Sequence, residues 1–134
     1  VFLRFLKKDG TPTKTTYLVK LNKRWMTFAG EFTTVQEEKD RINKFLNIVS
    51  STNGNADIKI YQDINIYVSE LEIGKSLDFV INENRQVYFV QIEGSSTVNG
   101  TTLDLGDAME ITDEDKIVIN PISKSHILFI EMKK

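Results

Sequence analysis

The sequence predicts an all-β domain built as a sandwich or barrel of short strands. Apolar and polar residues alternate in short runs between residues 57 and 132, as in Ile64, Ile66 and Val68, which is typical of strands with one buried face. Turn residues such as Asn99-Gly100 separate these runs at regular intervals. Many short strands with this spacing favour a sandwich or a barrel.

The composition indicates one globular domain and gives no sign of binding to nucleic acid or to an anionic membrane. A length of 134 residues suits a single core, so we expect one domain over residues 1–134. The net charge of −2 gives no electrostatic footprint, and we predict neither nucleic acid nor a membrane as a partner. The chain has no cysteine, which excludes disulfides and thiolate metal sites and fits a reducing compartment. We therefore predict a cytoplasmic protein, and its abundant Lys, Ile and Asn indicate a bacterial source.

The first strands can be followed in order along the chain. Ile58 and Ile60 flank a lysine, and a second alternating run covers residues 64–69. A turn at 72–75 leads to a strand at 77–81. The segment 86–92 is the richest in β-branched and aromatic residues, which predicts a strand buried on both faces.

Asn99-Gly100 is the strongest local signal. Asn-Gly is favoured in type I′ hairpin turns because both central residues need a positive φ, so a hairpin is expected here. A turn at 105–107 and an acidic loop at 112–115 follow. Further strands are expected at 117–119 and 127–132.

The first third of the chain is less regular. Phe2-Leu3, residues 17–21 and residues 25–28 could each be a strand. Thr34 followed by Glu37 matches a capping box, which predicts one short helix at about residues 35–43. A strand should follow at Leu46.

Four segments carry a resemblance to a known family. They are Ile60-Tyr61-Gln62-Asp63-Ile64-Asn65-Ile66-Tyr67, Arg85 to Gly94, Thr97 to Ala108 with its Asn99-Gly100 and Gly106-Asp107 turns, and Ile127-Leu128-Phe129-Ile130. In order and spacing, residues of about 43–132 resemble the C-terminal cupin domain of pirin-like proteins, a group that includes quercetin 2,3-dioxygenase-like bicupins. The resemblance implies a cupin-type jelly-roll β-barrel, and it leaves residues 1–40 as unassigned N-terminal strands.

Cupins that perform chemistry hold a metal through His and Glu at fixed positions between glycines. Gly74 and Gly94 match the ends of the first motif, and Gly106 begins the second. The four ligand positions then fall on Val80, Asn82, Val87 and Ile117. Three of these side chains are aliphatic and cannot bind a metal dication, and Asn82 is a poor ligand for a transition metal. We therefore predict no metal, no cofactor and no catalytic residue.

Three functions remain open. The resemblance implies a metal-free second cupin that packs against a partner cupin domain or forms a homodimer. A vestigial barrel pocket could instead bind a small organic ligand through Tyr67, Tyr88 and Gln91. A quercetinase-type dioxygenase is the third possibility, and the missing ligands count against it.

Other polar residues have simpler interpretations. The single histidine, His126, is expected at the surface or at a strand end. The run 113–115 lacks the alternating ligands and the glycine of a calcium loop, which favours a solvated turn. Asp63 is expected in a turn between two strands.

Overall fold

A computed structural model describes residues 16–21, 24–29 and 40–134. This part of the chain forms β-strands and contains no α-helix, so the all-β prediction is confirmed. The strands are β1 (Thr16–Leu21), β2 (Arg24–Ala29), β3 (Leu46–Ser51), β4 (Ile58–Ile60), β5 (Ile64–Leu71), β6 (Leu77–Val80), β7 (Arg85–Glu93), β8 (Ser96–Val98), β9 (Thr101–Leu103), β10 (Ala108–Ile111), β11 (Lys116–Pro121) and β12 (Ser125–Lys133).

The strands from β3 onward form two sheets that face each other. The larger sheet has the order β10-β7-β12-β5-β3-β4, and the smaller has the order β6-β11-β8-β9. All these pairs are antiparallel except β3–β4, which is parallel. After β5, each strand lies in the opposite sheet from the one before it, except in the β8–β9 hairpin, and such crossing is typical of a jelly roll. Strands β1 and β2 pair with each other in a separate two-stranded sheet.

One core lies between the two sheets. Side chains of a strand alternate between its faces, so every second residue of β5, β7 and β12 points towards the smaller sheet. Pairing places Tyr67, Phe129 and Phe89 side by side on that face. The buried members of this inner core are Leu71, Ile81, Val87, Phe89, Val98, Leu103, Ile111, Ile117, Ile119, Ile127 and Phe129.

A second apolar cluster covers the opposite, outer face of the larger sheet. Its buried members are Ile48, Val49, Ile58, Ile60, Ile66, Val68, Ile92 and Leu128. Strand β7 contributes to both faces, as expected, with Val87 inside and Ile92 outside. Burial on both faces does not extend along the whole strand, because Tyr88 is 44% exposed.

The Asn-Gly hairpin is confirmed. Asn99 has a φ of 48° and Gly100 a φ of 79°, the positive values that a type I′ turn requires. The Asn99 side chain also ties the hairpin to β11. Its Nδ2 donates to the Lys116 carbonyl at 2.9 Å, and its Oδ1 accepts from the Val118 amide at 2.7 Å.

The turns lie at two ends of the barrel, which we name the upper and lower rims. The upper rim consists of residues 40–45, 72–76, 94–95, 104–107 and 122–124. The lower rim consists of residues 61–63, 81–84, 99–100 and 112–115.

The first third matches its prediction in part. Strands at 17–21, at 25–28 and from Leu46 are confirmed as β1, β2 and β3. Phe2-Leu3 and residues 35–39 lie outside the described residues. At the predicted end of the helix, Asp40 has a 3₁₀ conformation, and residues 41–43 are not helical.

Tertiary hydrogen bonds explain why residues 41–43 do not continue a helix. Ile42 forms an isolated bridge with Glu70, and Asn43 has a φ of 55°. The Asn43 amide donates to the Glu70 carbonyl at 2.7 Å, and its Oδ1 accepts from the Glu72 amide at 2.9 Å. These bonds to the end of β5 outweigh the local helical pattern.

Candidate functional site

The space between the sheets, where a catalytic cupin would hold its metal, is filled with aromatic rings. Phe129 is fully buried, and its ring centroid lies 4.8 Å from that of Phe79 and 5.0 Å from that of Tyr67. Phe45 approaches it to 5.3 Å and Phe89 to 6.3 Å. These are contact distances for aromatic pairs, so the middle of the barrel is packed.

The four positions expected for metal ligands do not meet around one cavity. Val87 is 1% exposed and Ile117 is fully buried, and both lie in the inner core. Val80 is 67% exposed, and Asn82 is also exposed. Two of the four positions therefore face solvent.

The phase of β6 explains this separation. Phe79 pairs with Ile117 and packs in the inner core, and Ile81 is 5% exposed in the same core. Because the side-chain period of a strand is two, the inward positions are 79 and 81 and not 80 and 82.

The corrected inward set fits a metal no better than the expected one. Phe79, Ile81, Val87 and Ile117 offer only hydrocarbon, whereas transition metals require imidazole, carboxylate or thiolate ligands. The positive charge of a dication placed there would not be compensated by any ligand. Within residues 40–134, no group of three or more His, Asp and Glu is arranged to hold a metal ion.

The three polar residues expected in a pocket lie in different places. Tyr67 is half-buried among the inner rings. Gln91 is fully buried, where its Nε2 donates to the Glu93 carbonyl at 2.9 Å and its Oε1 accepts from the Ser96 hydroxyl at 2.6 Å. Tyr88 lies on the outer face, so these residues do not line a common cavity.

A charged network at the lower end of the inner face is the most developed polar arrangement in the described chain. Arg85 donates through Nε and Nη2 to the Glu131 carboxylate, whose side chain is 7% exposed. The other arm of the guanidinium, Nη1, donates to Asp63 Oδ2 at 2.9 Å. Asn65 Nδ2 also donates to Glu131 at 2.8 Å. Hydrogen bonds thus satisfy the buried carboxylate from both neighbouring strands.

Three groups in or beside this network have pKa values shifted further from neutral pH. Hydrogen bonds to Asp63 and Glu131 raise the pKa of Arg85. The hydrogen bond from Arg85 lowers the pKa of Asp63 below its usual value. Burial and then the Glu131 charge raise the pKa of Tyr67. None of the three shifted groups is therefore poised as a general acid or base at neutral pH.

The sequence interpretation did not single out Arg85 or Glu131. A signal was available, because the alternation of Ile127 and Phe129 places Glu131 on the same buried face. A charge at a core position demands a partner. Which residue supplies it depends on the pairing of β12 with β7, which the pattern does not reveal.

The remaining predicted residues fall as follows. Asp63 lies in the turn between β4 and β5, and residues 113–115 are exposed, as expected. His126 lies at the start of β12, which confirms the strand-end alternative, and it is 3% exposed, so the surface alternative was wrong. The β12 pairings to β5 and β7 bury this strand end, opposite Glu70 and Glu93.

An open groove lies beside the edge strands β9 and β10. Its volume is about 240 Å³, and Val98, Met109 and Ile111 contribute its apolar surface. Glu110 and Glu114 contribute acidic side chains. The groove opens beside the inner core, at positions that include none of the expected ligand residues. No membrane-crossing helix is present among the described residues.

Comparison with solved structures places this fold among the cupins. The structure resembles the bacterial pirin YhhW from Escherichia coli in complex with nickel(II), with a TM-score of 0.65 and 24% identity over 69% of this chain and 40% of that one. It also resembles quercetin 2,3-dioxygenase from Acinetobacter baumannii, with a TM-score of 0.60 and 14% identity over 66% of this chain and 32% of that one. At these identities the likeness shows the fold.

Sequence comparison identifies the family. The chain is 23% identical over 94 residues to the Pseudomonas aeruginosa protein named "Putative quercetin 2,3-dioxygenase PA1210", a match that covers 69% of this chain and 40% of the relative. The match therefore spans about two fifths of the length of this relative. The family model described as the quercetinase C-terminal cupin domain matches residues 47–132. This chain belongs to the quercetinase C-terminal cupin domain family, the pirin-like cupins that its sequence resembles.

Proposed function

We propose that this chain is a non-catalytic, metal-free cupin module that acts by packing against another protein, in the cytoplasm. The observation that carries the proposal is the apolar inner set of Phe79, Ile81, Val87 and Ile117. A barrel with these side chains at its centre supplies neither metal ligands nor an open substrate site. A barrel with a packed interior can interact with other molecules only through its outer surface, where a protein partner can bind.

The charged network supports a structural role in the same way. Arg85 joins two carboxylates from β12 and the β4–β5 turn, so it ties three segments of the barrel together. Such a network holds a shape without turning over a substrate. Both carboxylates form charge-assisted hydrogen bonds with the guanidinium, so neither is left without a partner.

Quercetin dioxygenase activity is the function that the names of the relatives suggest. This chain would need a metal for it, and its inward residues do not fit one. The test is oxygen uptake with quercetin, using the chain supplied separately with Fe²⁺, Ni²⁺ or Mn²⁺. We expect uptake no faster than with the free metal, and uptake that rises in proportion to protein would overturn the proposal.

Binding of a small organic molecule is the second candidate, and the groove beside β10 is the observation that favours it. Its volume of about 240 Å³ is below the roughly 300–1,000 Å³ of typical ligand pockets. A thermal-shift screen with flavonoids and other metabolites measures this directly. We expect no concentration-dependent rise in melting temperature, and a saturable rise lost in Met109→Glu would favour the binding function.

A further inference from the structure

Exposed aliphatic side chains are concentrated at the upper rim. Ile73 is 69% exposed, Leu105 58%, Ile122 52% and Ile42 39%. Single exposed hydrophobic residues are ordinary on protein surfaces, but a group of them in adjoining loops marks an interaction site. These four come from four different turns, so no short sequence pattern accounts for the group.

Hydrogen bonds and close backbone contacts hold these turns side by side. Ser76 Oγ, in the turn of Ile73, donates to the Ile119 carbonyl of β11, the strand that ends at the turn of Ile122. Asn43 bonds to Glu72, which connects the loop of Ile42 to that of Ile73. The Ile122 amide donates to the Ser95 carbonyl at 2.8 Å.

The neighbouring turns meet just as closely. Gly94 has a φ of +72°, and a Cβ added there would lie 2.1 Å from the Lys124 carbonyl, so only glycine lets the two turns approach this far. The Gly106 amide donates to the Gln91 carbonyl at 2.8 Å, which holds the turn of Leu105 against the end of β7.

Three of the aliphatic residues share a sequence arrangement in which an exposed lysine stands two positions later. The pairs are Ile42 with Lys44, Ile73 with Lys75, and Ile122 with Lys124. The same rim exposes three carboxylates, on Glu72, Asp104 and Asp107. The exposed lysines and carboxylates of the rim are therefore equal in number.

We propose that the upper rim is a contact surface at which two copies of this chain pair about a twofold axis. The proposal rests on the packing role proposed above and assigns it a surface and a partner. A twofold contact brings the same patch together with itself, so the patch must be self-complementary. Aliphatic residues can then meet at the centre, while Lys44, Lys75 and Lys124 of one copy face the carboxylates of the other.

The size and charge of the rim fit this partner. Its five turns contain about 20 residues, and one side of a standard protein interface takes roughly 20–30. An anionic membrane would attract the lysines, but it would repel Glu72, Asp104 and Asp107. A second copy satisfies both signs of charge.

The test measures oligomeric state over a range of protein concentrations by analytical ultracentrifugation of the full chain. We expect a reversible dimer, with Ile73→Glu and Ile122→Glu each raising the dimer dissociation constant at least about 100-fold. Both side chains are more than half exposed in the single copy, so the variants should fold, and circular dichroism checks this. Val80→Glu is the matched control, because Val80 is as exposed as Ile73 but lies on β6 beside the lower rim.

Three results would overturn the proposal. The first is a wild-type chain that stays monomeric up to about 1 mM. The second is a dimer that Val80→Glu weakens as much as Ile73→Glu does. The third is a monomer that sediments with phosphatidylserine vesicles and is released by Ile73→Glu, which would assign the rim to membranes. A monomeric chain without bound metal would contradict only the dimer proposal, because the proposed packing function could use another partner. Stoichiometric bound metal would contradict the proposed metal-free function, whatever the oligomeric state.

Discussion

Replacing Phe129 by alanine tests whether the barrel is filled as described. The side chain is fully buried and contacts the rings of Tyr67, Phe79 and Phe89. Truncation of a buried Phe costs about 3–5 kcal/mol, and the rigid surrounding rings cannot collapse into the space, so the upper half of this range is expected. For a chain of this length the melting temperature should fall by about 12–20 °C.

Two further variants make the measurement graded. Phe129→Leu keeps part of the volume and should cost about 1–2 kcal/mol. Tyr88→Ala removes a ring from the outer face, where the side chain is 44% exposed, and should cost about 1 kcal/mol. Urea unfolding followed by far-ultraviolet circular dichroism gives each free energy of unfolding. Equal losses for Phe129→Ala and Tyr88→Ala would show that the inner space is not packed, and the reasoning would fail.

Three other predictions concern hydrogen bonds and charge. Glu131→Gln should lower the free energy of unfolding by about 1–3 kcal/mol, because Arg85 loses its buried charged acceptor. Asp63→Asn should lower it clearly less, since Asp63 lies at the surface, and equal losses for the two variants in urea unfolding would contradict this. Tyr67 has a raised pKa in the folded chain, so the unfolded chain loses this proton first, and the free energy of unfolding should fall as the pH rises above 10. The fall should be shallower in Tyr67→Phe, and identical pH profiles of stability for the two proteins would refute this prediction. Asn99→Ala should lower the free energy of unfolding by about 2 kcal/mol, because alanine is strained at a positive φ and the two side-chain hydrogen bonds are lost. Asn99→Gly loses only the hydrogen bonds and should lower it by about half as much, and the opposite order in thermal unfolding would argue against the turn.

Local patterns were sufficient to predict most of the fold. Asn99-Gly100 allows only a narrow choice of turn, and the alternation around Ile64 and Ile66 specifies which face is buried. The family resemblance then supplied the jelly-roll architecture. The helix predicted for residues 35–43 failed at its described end, because Asn43 bonds to residues almost thirty positions away.

The site was less accessible to sequence reasoning. Counting residues between Gly74 and Gly94 placed the ligand positions at 80 and 82, although the alternation of Leu77, Phe79 and Ile81 already indicated the opposite phase. Strand phase is set by which face is buried, and motif spacing does not encode it.

The network of Arg85 was hidden for a different reason. Its partner Glu131 is 46 residues away along the chain, and only the pairing of β7 with β12 brings them together. The upper rim is equally non-local, because its exposed aliphatic residues come from separate turns.

The central claim is that the barrel interior is a packed core and not a metal site. Elemental analysis by mass spectrometry tests it most directly, on chain produced in medium supplemented with iron, nickel and manganese and purified without chelators. A supplemented cupin with a complete His and Glu ligand set is the positive control. The account predicts far less than one metal ion per chain. About one tightly bound ion per chain, removed by a chelator with loss of stability, would contradict it.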